Sequence, residues 1–311
     1  MATNDAMTSK KLIESVGNRS HVPVNQSTFT EEKFLDFATE ELRLSLIPFI
    51  LAMNEDYMLF EIETPLVANK REYEIPNRAT GVKLKDLQLK NPSGNYRELT
   101  RTTIGERFTS DQSDYSGSLS KFYIKNNKVV LMSNPNPVDT LVFIVYIKPS
   151  KLVTEDRVAI ISGINRTSNT IVVNEIPEVF TTQNTYDFYK ASSPFNVLTI
   201  DFNIVSLNST TNTIILSSIP EDLDVGDHIS LSNEAIIPQI PEELHVMLAQ
   251  MVACRVMESQ GDTEGLRNAK VKLQEMKTEG GLIVDNRVTD APKKVTNRHG
   301  FLRNLNTRYR R

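Results

Sequence analysis

Ile164-Asn165-Arg166-Thr167-Ser168-Asn169-Thr170-Ile171, with Ile176-Pro177-Glu178 behind it, returns 43 residues later as Leu207-Asn208-Ser209-Thr210-Thr211-Asn212-Thr213-Ile214, with Ile219-Pro220-Glu221 behind it. The same offset sets Tyr186-Asp187-Phe188-Tyr189 against Ile229-Ser230-Leu231-Ser232. Each copy reads as a strand, a polar turn, a second strand, an Ile-Pro-Glu turn and a third strand. A three-strand unit cannot bury its own apolar face, so two such units, at about 152–194 and 195–235, are expected to pair into one small barrel or sandwich.

Upstream of the repeat the period is also close to two. Tyr73 and Ile75 precede Pro76, and Val82, Leu84 and Leu87 follow Gly81; Asn91-Pro92-Ser93-Gly94-Asn95 is a turn cluster and 96–101 a strand. Residues 109–120 read as an exposed loop. Asn126-Asn127 lies between two apolar runs and predicts a two-residue hairpin, because Asn tolerates positive φ. The run 141–147 is apolar on both faces, as in a central strand.

On either side of this β region the period is helical. A short helix carries Leu12, Ile13 and Val16 and is expected to stop near Gly17. A longer one starts at Thr30 or Thr28, with Glu31 and Glu32 in its first turn and Phe29 and Phe34 at hydrophobic-staple spacing. It is expected to kink at Pro48, which has no N–H, and to resume to about Met58. After Pro241-Glu242-Glu243, a helix carries Leu244, Met247, Leu248, Met251, Val252 and Val256. A second carries Leu266, Ala269, Leu273 and Met276, with its end expected at Gly280-Gly281. The expected fold class is α+β, a helical domain built from N- and C-terminal helices around a large antiparallel β insertion. The divisions are an N-terminal helical part at 1–72, the β insertion at 73–235, the C-terminal helix pair at 236–284 and a basic arm at 285–311.

Charge is divided unevenly. Residues 287–311 hold eight basic side chains (Arg287, Lys293, Lys294, Arg298, Arg303, Arg308, Arg310 and Arg311) and the one acid Asp290, a sum of +7 in a chain whose total is -4. The other 286 residues therefore sum to -11. Phe301, Leu302, Leu305 and Tyr309 interleave with the charges and offer a partner something to bury. Residues 31–63 hold nine acids against two bases, which makes one face of their helix negative. Nucleic acid suits such an arm through phosphate contacts and stacking. An acidic protein groove suits it better here, because the body repels polyanions beyond the arm's reach.

No catalytic set is evident. His21, His228, His245 and His299 are scattered, with no partner at metal-ligand spacing, and His245 reads as a helix-surface imidazole. Asp222, Asp224 and Asp227 around Gly226 lack the spacing of a calcium loop and read as a turn. Ser118-Leu119-Ser120-Lys121 has the Ser-x-x-Lys form without a Lys-Thr-Gly. Neither a Walker A motif nor Gly-x-Gly-x-x-Gly occurs, so no cofactor is expected. The single cysteine, Cys254, falls on an apolar helical stripe as a buried hydrophobe. The start lacks the basic and apolar regions of a signal peptide. The longest apolar run is of strand length, so no membrane association is expected.

Gly226-Asp227-His228-Ile229, then Ile237-Pro238-Gln239-Ile240-Pro241-Glu242-Glu243-Leu244-His245, Leu248-Ala249-Gln250 and Gly261-Asp262, taken in order with Tyr73-Glu74-Ile75-Pro76-Asn77-Arg78-Ala79-Thr80-Gly81 and Tyr186-Asp187-Phe188, resemble the head-to-tail connector (adaptor) proteins of tailed bacteriophages. The likeness spans about residues 28–298. It implies a non-enzymatic structural subunit of the virion neck, assembled in the host bacterial cytoplasm into a ring, dodecameric in that family, beneath the portal. Its implied partners are copies of itself, the portal protein, downstream tail or fibre proteins, and DNA that passes through the channel without specific binding. Its arm residues (Arg287, Lys293, Lys294, Arg298, Phe301, Leu302, Arg303, Arg308, Tyr309, Arg310 and Arg311) would clamp the portal. Glu31, Glu32, Asp36, Glu40 and Glu41 would face the channel. The simplest members are almost wholly helical, so the β insertion is a departure. An alternative reading makes that insertion the docking surface of a tail or fibre-attachment protein.

Overall fold

The computed structural model describes residues 7–23, 29–54, 56–106 and 119–284. The basic arm and most of the 109–120 loop lie outside these residues. The described chain is α+β, and its strands include a closed six-stranded antiparallel barrel.

Helix α1 (Ser9–Ser20) buries Leu12, Ile13 and Val16. It runs past Gly17, which is itself buried, and ends where His21 turns left-handed at φ 54°. Helix α2 (Glu31–Glu41) is capped by Thr30, whose hydroxyl accepts from the Lys33 amide at 3.4 Å, and Phe29 packs on Phe34 with ring centroids 6.0 Å apart. A widened π turn (Leu42–Leu46) follows, then α3 (Ile47–Met53), with Pro48 in its first turn. The proline removes one backbone donor, and the wider turn just before it accommodates the ring. This helix stops at Met53, short of the expected Met58.

Helices α4 (His245–Gln260) and α5 (Thr263–Val284) form a hairpin. Gly261, at φ 77°, closes α4, with its own amide and that of Asp262 returning to the carbonyls of Glu258 and Met257. Phe34, Leu42, Leu46 and Ile50 share one core with Leu12, Leu248, Val252 and Val256. The expected end of α5 at Gly280-Gly281 is not observed, because these glycines serve close packing. A Cβ on Gly280 would lie 3.2 Å from Leu244 Cδ2, and one on Gly281 would lie 3.7 Å from Phe49 Cζ.

Strand β1 (Leu59–Pro65) falls in the part expected to be helical. With β3 (Ala79–Lys90), β4 (Tyr96–Glu98) and β8 (Thr140–Ile147) it makes a sheet in the order β1-β8-β3-β4. β2 (Glu72–Glu74), β5 (Thr100–Arg101), β6 (Lys121–Lys125) and β7 (Lys128–Leu131) make a second, ordered β2-β7-β6-β5. Leu87, Leu141, Phe143 and Val145 from the first sheet share a core with Tyr73, Phe122, Val129 and Leu131 from the second. β8 is central, as its two apolar faces predict. The expected strand at 96–101 is divided between the two sheets. Asn126 and Asn127 sit at φ 50° and 58° in the β6–β7 hairpin.

The barrel runs β10-β11-β14-β13-β12-β15, with β10 at Val158–Asn165, β11 at Thr170–Val173, β12 at Thr185–Tyr189, β13 at Val197–Asn208, β14 at Thr213–Leu216 and β15 at His228–Leu231. An offset of 43 carries β11 onto β14 residue by residue. Mapping β10, β11 and β12 onto β13, β14 and β15 turns the β10–β11 pairing into β13–β14 and the β10–β15 pairing into β13–β12. The turns match as well. Asn165 Oδ1 accepts from the amides of Thr167 and Ser168, as Asn208 Oδ1 does from Thr210 and Thr211. β9 (Lys151–Leu152) and β16 (Glu234–Ala235) pair in parallel, so the chain enters and leaves the barrel side by side.

Candidate functional site

The five acids expected to face a channel lie on or at the end of α2, and three are engaged within the chain. Asp36 pairs with Lys151 at 2.9 Å. Glu40 and Glu41 both meet the Arg255 guanidinium, at 2.7 and 3.5 Å, and Glu41 also accepts from the Ser45 hydroxyl at 2.8 Å. Lys151 comes from β9 and Arg255 from α4, elements brought to α2 by the fold. The negative face read from the local sequence is therefore partly neutralised by distant residues. Glu31 and Glu32 stand exposed in the first turn, where the helix dipole favours them. The arm residues expected to bind a partner lie outside the described residues, so their position relative to α2 is not described.

A second polar constellation, whose members the sequence placed in separate motifs without marking their pairing, lies where helices, sandwich and barrel meet. Asp187 of β12 is fully buried. Its carboxylate accepts from Arg78 Nη1 at 2.8 Å, from the Asp201 amide at 3.0 Å and from the Asn233 amide at 2.8 Å. Arg78 lies in the turn between β2 and β3, and its carbonyl accepts from the Lys148 amide. Arg43, from the π turn, donates to the Pro149 carbonyl at 3.1 and 2.9 Å and to Asn233 Oδ1 at 3.4 Å. Burial, and secondarily the neighbouring Arg78 charge, lowers the Arg43 pKa. On the same linkers, Gln239 Oε1 accepts from the Ser150 amide and Thr39 Oγ1 from the Leu152 amide. A buried carboxylate is tolerated only when its lone pairs are filled. Here a guanidinium and two backbone amides from separate segments fill them, so the junction is built only when the modules are docked. Arg78 and Asp187 are 109 residues apart, beyond the reach of any local pattern.

The histidine reading changes. His245 is buried rather than on the helix surface. Its Nε2 lies 3.1 Å from the Pro238 carbonyl and 3.2 Å from that of Ile240, and its ring stacks on Phe195. The apolar side of α4 extends around to this residue because the Pro238–Pro241 segment folds over it. His228 is also buried, stacked on Tyr189 with the rings 7° from parallel. Of the three aspartates near Gly226, Asp224 and Asp227 pair with Lys190 at 2.7 and 3.1 Å. Asp227 also accepts from the amides of Ala191 and Asp224, which is the pattern of a braced turn. Cys254 is buried, and burial raises its thiol pKa. Among the described residues, no group of three or more His, Cys, Asp and Glu side chains is placed to hold a metal, and no helix is long and apolar enough to cross a membrane. Comparison of the sequence with protein-family models and with curated proteins returns no match.

Proposed function

We propose that this chain is a structural, non-catalytic subunit of a tailed-phage neck, forming a ring between portal and tail through which DNA passes. In this reading the helices before and after the β region make one helical domain. The β region is an insertion whose barrel is a duplicated three-strand unit. Copies of the chain are the ring partners, and segment 287–311 clamps the portal. The observation that carries the reading is the division of charge between a body summing to -11 and a terminal segment summing to +7, together with the order of the motifs that resemble connector proteins. Many modest contacts repeated around a ring add through effective concentration. In this reading Glu31, Glu32, Asp36, Glu40 and Glu41 face the channel. Deleting 287–311 should leave the subunit folded and unable to join portal rings, as scored by particle assembly and by the mass of subunit–portal mixtures. Normal particles from the truncated chain would overturn the reading.

The alternative, a tail or fibre-attachment role, draws on one feature of the barrel. Val172, Val205 and Ile215 are exposed on its outer surface, at 40%, 60% and 39%. Labelling the protein at the distal tail instead of at the portal face would decide for that role.

A further inference from the structure

Strand β1 is an edge. Among the described residues it pairs on one side only, with β8. The sandwich core is correspondingly open there. Ile62 of β1, which packs on the sandwich core, is half-buried, whereas its partner on β8, Phe143, is fully buried; Phe60, opposite a buried Val145, is half-buried against the helical core. The side chains of Glu61 and Glu63, on the opposite face of the strand, are exposed; Glu63 pairs with Lys90 of β3 at 2.7 Å, which leaves Glu61 as the carboxylate that an added strand would meet first. Where β1 begins, a cleft of about 320 Å³ is lined by Tyr57, Leu59, Phe60, Phe195 and Gln239. Gln239 is buried, and its amide nitrogen has no hydrogen-bond partner.

An edge with unpaired backbone groups and half-covered apolar side chains accepts an added strand. Its charges select which one. Two β1 edges of neighbouring copies would set Glu61 and Glu63 against each other, which disfavours self-pairing. A basic strand with one apolar face suits both sides of the edge. Residues 304–310 have that pattern at a period of two: Leu305, Thr307 and Tyr309 fall on one side, and Asn304, Asn306, Arg308 and Arg310 on the other, whereas Leu302 and Arg303 before them reverse it. The place where the described chain stops also fits. The last turn of α5 packs on α3, since a Cβ on Gly281 would lie 3.8 Å from Met53 Cε. Four residues after Met53 comes Tyr57, which lines the cleft. Sixteen residues separate Val284 from Phe301, enough to span up to about 55 Å when extended.

We propose that in the unassembled subunit the basic C-terminal segment of the same chain docks in cis as an added strand on the open edge of β1. Its apolar side covers Phe60 and Ile62, and Arg308 and Arg310 face Glu61 and Glu63. Assembly would then have to lift the segment off β1 before it engages any partner. Docking in cis is a property of the isolated subunit and does not depend on the ring reading, which mass measurements on portal mixtures score separately.

The test is hydrogen exchange of the β1 amides in the full-length protein. Exchange should be at least roughly tenfold slower in the natural chain than in one carrying Arg308→Glu and Arg310→Glu. Protection should return when Glu61→Lys and Glu63→Lys are added to that variant. Equal exchange in all three proteins, or no recovery in the charge-swapped one, overturns the proposal. In a chain carrying Ile62→Cys and Tyr309→Cys, which the proposal places on the same face, a short bismaleimide should close a loop within one chain, with buried Cys254 giving little background. Products that link only two chains would overturn docking in cis.

Discussion

His228 sits against Tyr189 with Asp227 beside it, and burial outweighs the carboxylate, lowering the imidazole pKa to about 4. Burial lowers the His245 pKa as well, against the opposing pull of the Pro238 and Ile240 carbonyls. The His228 ring is thus neutral in the folded protein near pH 6, where the unfolded chain already takes up protons. The stability linked to His228 is complete above about pH 6.5 and is lost as pH falls toward about 4, a change of about 3 kcal/mol. Urea midpoints measured across that window should fall with pH. In a His228→Gln variant the fall should be shallower, with the remainder owed to His245. Tyr189 is held in the same place by burial, which raises its pKa, and its hydroxyl accepts from the Ile236 amide at 3.0 Å. The cluster is therefore an internal brace, and its titration reports on folding.

At the scale of elements, two adjacent glycines of α5 should respond in opposite directions. A methyl group added at Gly281 would meet ordinary contact distances, 3.7 Å to Phe49 and 3.8 Å to Met53. Gly281→Ala should therefore stabilise the protein by up to about 1 kcal/mol through helix propensity. Gly280 faces Leu244 at 3.2 Å, and Gly280→Val should destabilise by about 1–3 kcal/mol through overpacking. Thermal melts of the two variants check both signs. In the barrel, Asn169 and Asn212 both adopt positive φ, at 51° and 50°. Their side-chain amides donate across the barrel, Asn169 to the Ser217 carbonyl and Asn212 to the Asn174 carbonyl. Asn169→Ala and Asn212→Ala should each destabilise by about 1–2 kcal/mol. If the barrel is a duplicated unit, as proposed, the denaturation midpoints of the two variants should agree; a large disparity would argue against that reading.

For the whole molecule, what matters is how helices, sandwich and barrel are held as one body. The Arg78–Asp187 pair joins the sandwich to the barrel, and Arg43 ties both to the helices through Pro149 and Asn233. Arg78→Ala leaves a buried carboxylate without its cation and should destabilise by about 3–5 kcal/mol. The barrel closes on itself and keeps its own core of Ile171, Tyr186, Phe188, Ile214 and Ile229. Unfolding of the variant should therefore separate into two transitions, with barrel signals outlasting those of the junction. A single undivided transition of unchanged midpoint would show that the pair contributes nothing to docking.

The sequence by itself determined the elements whose causes are local. The Thr30 cap, the Asn126-Asn127 hairpin and the centrality of β8 each follow from a few neighbouring residues with strong conformational preferences. The tertiary structure alone decided what depends on distant partners. Lys151 and Arg255 reach the acids of α2 only after β9 and α4 are packed against that helix. Gly280 and Gly281 end a helix in an isolated chain, yet here they let α5 lie against Leu244 and Phe49. Arg78 and Asp187 carry no mark of their pairing until three modules come together around them. Local preference acts over a few residues, whereas burial and charge pairing act between whatever surfaces the fold brings into contact. That difference in range separates what could be read from the chain from what could not.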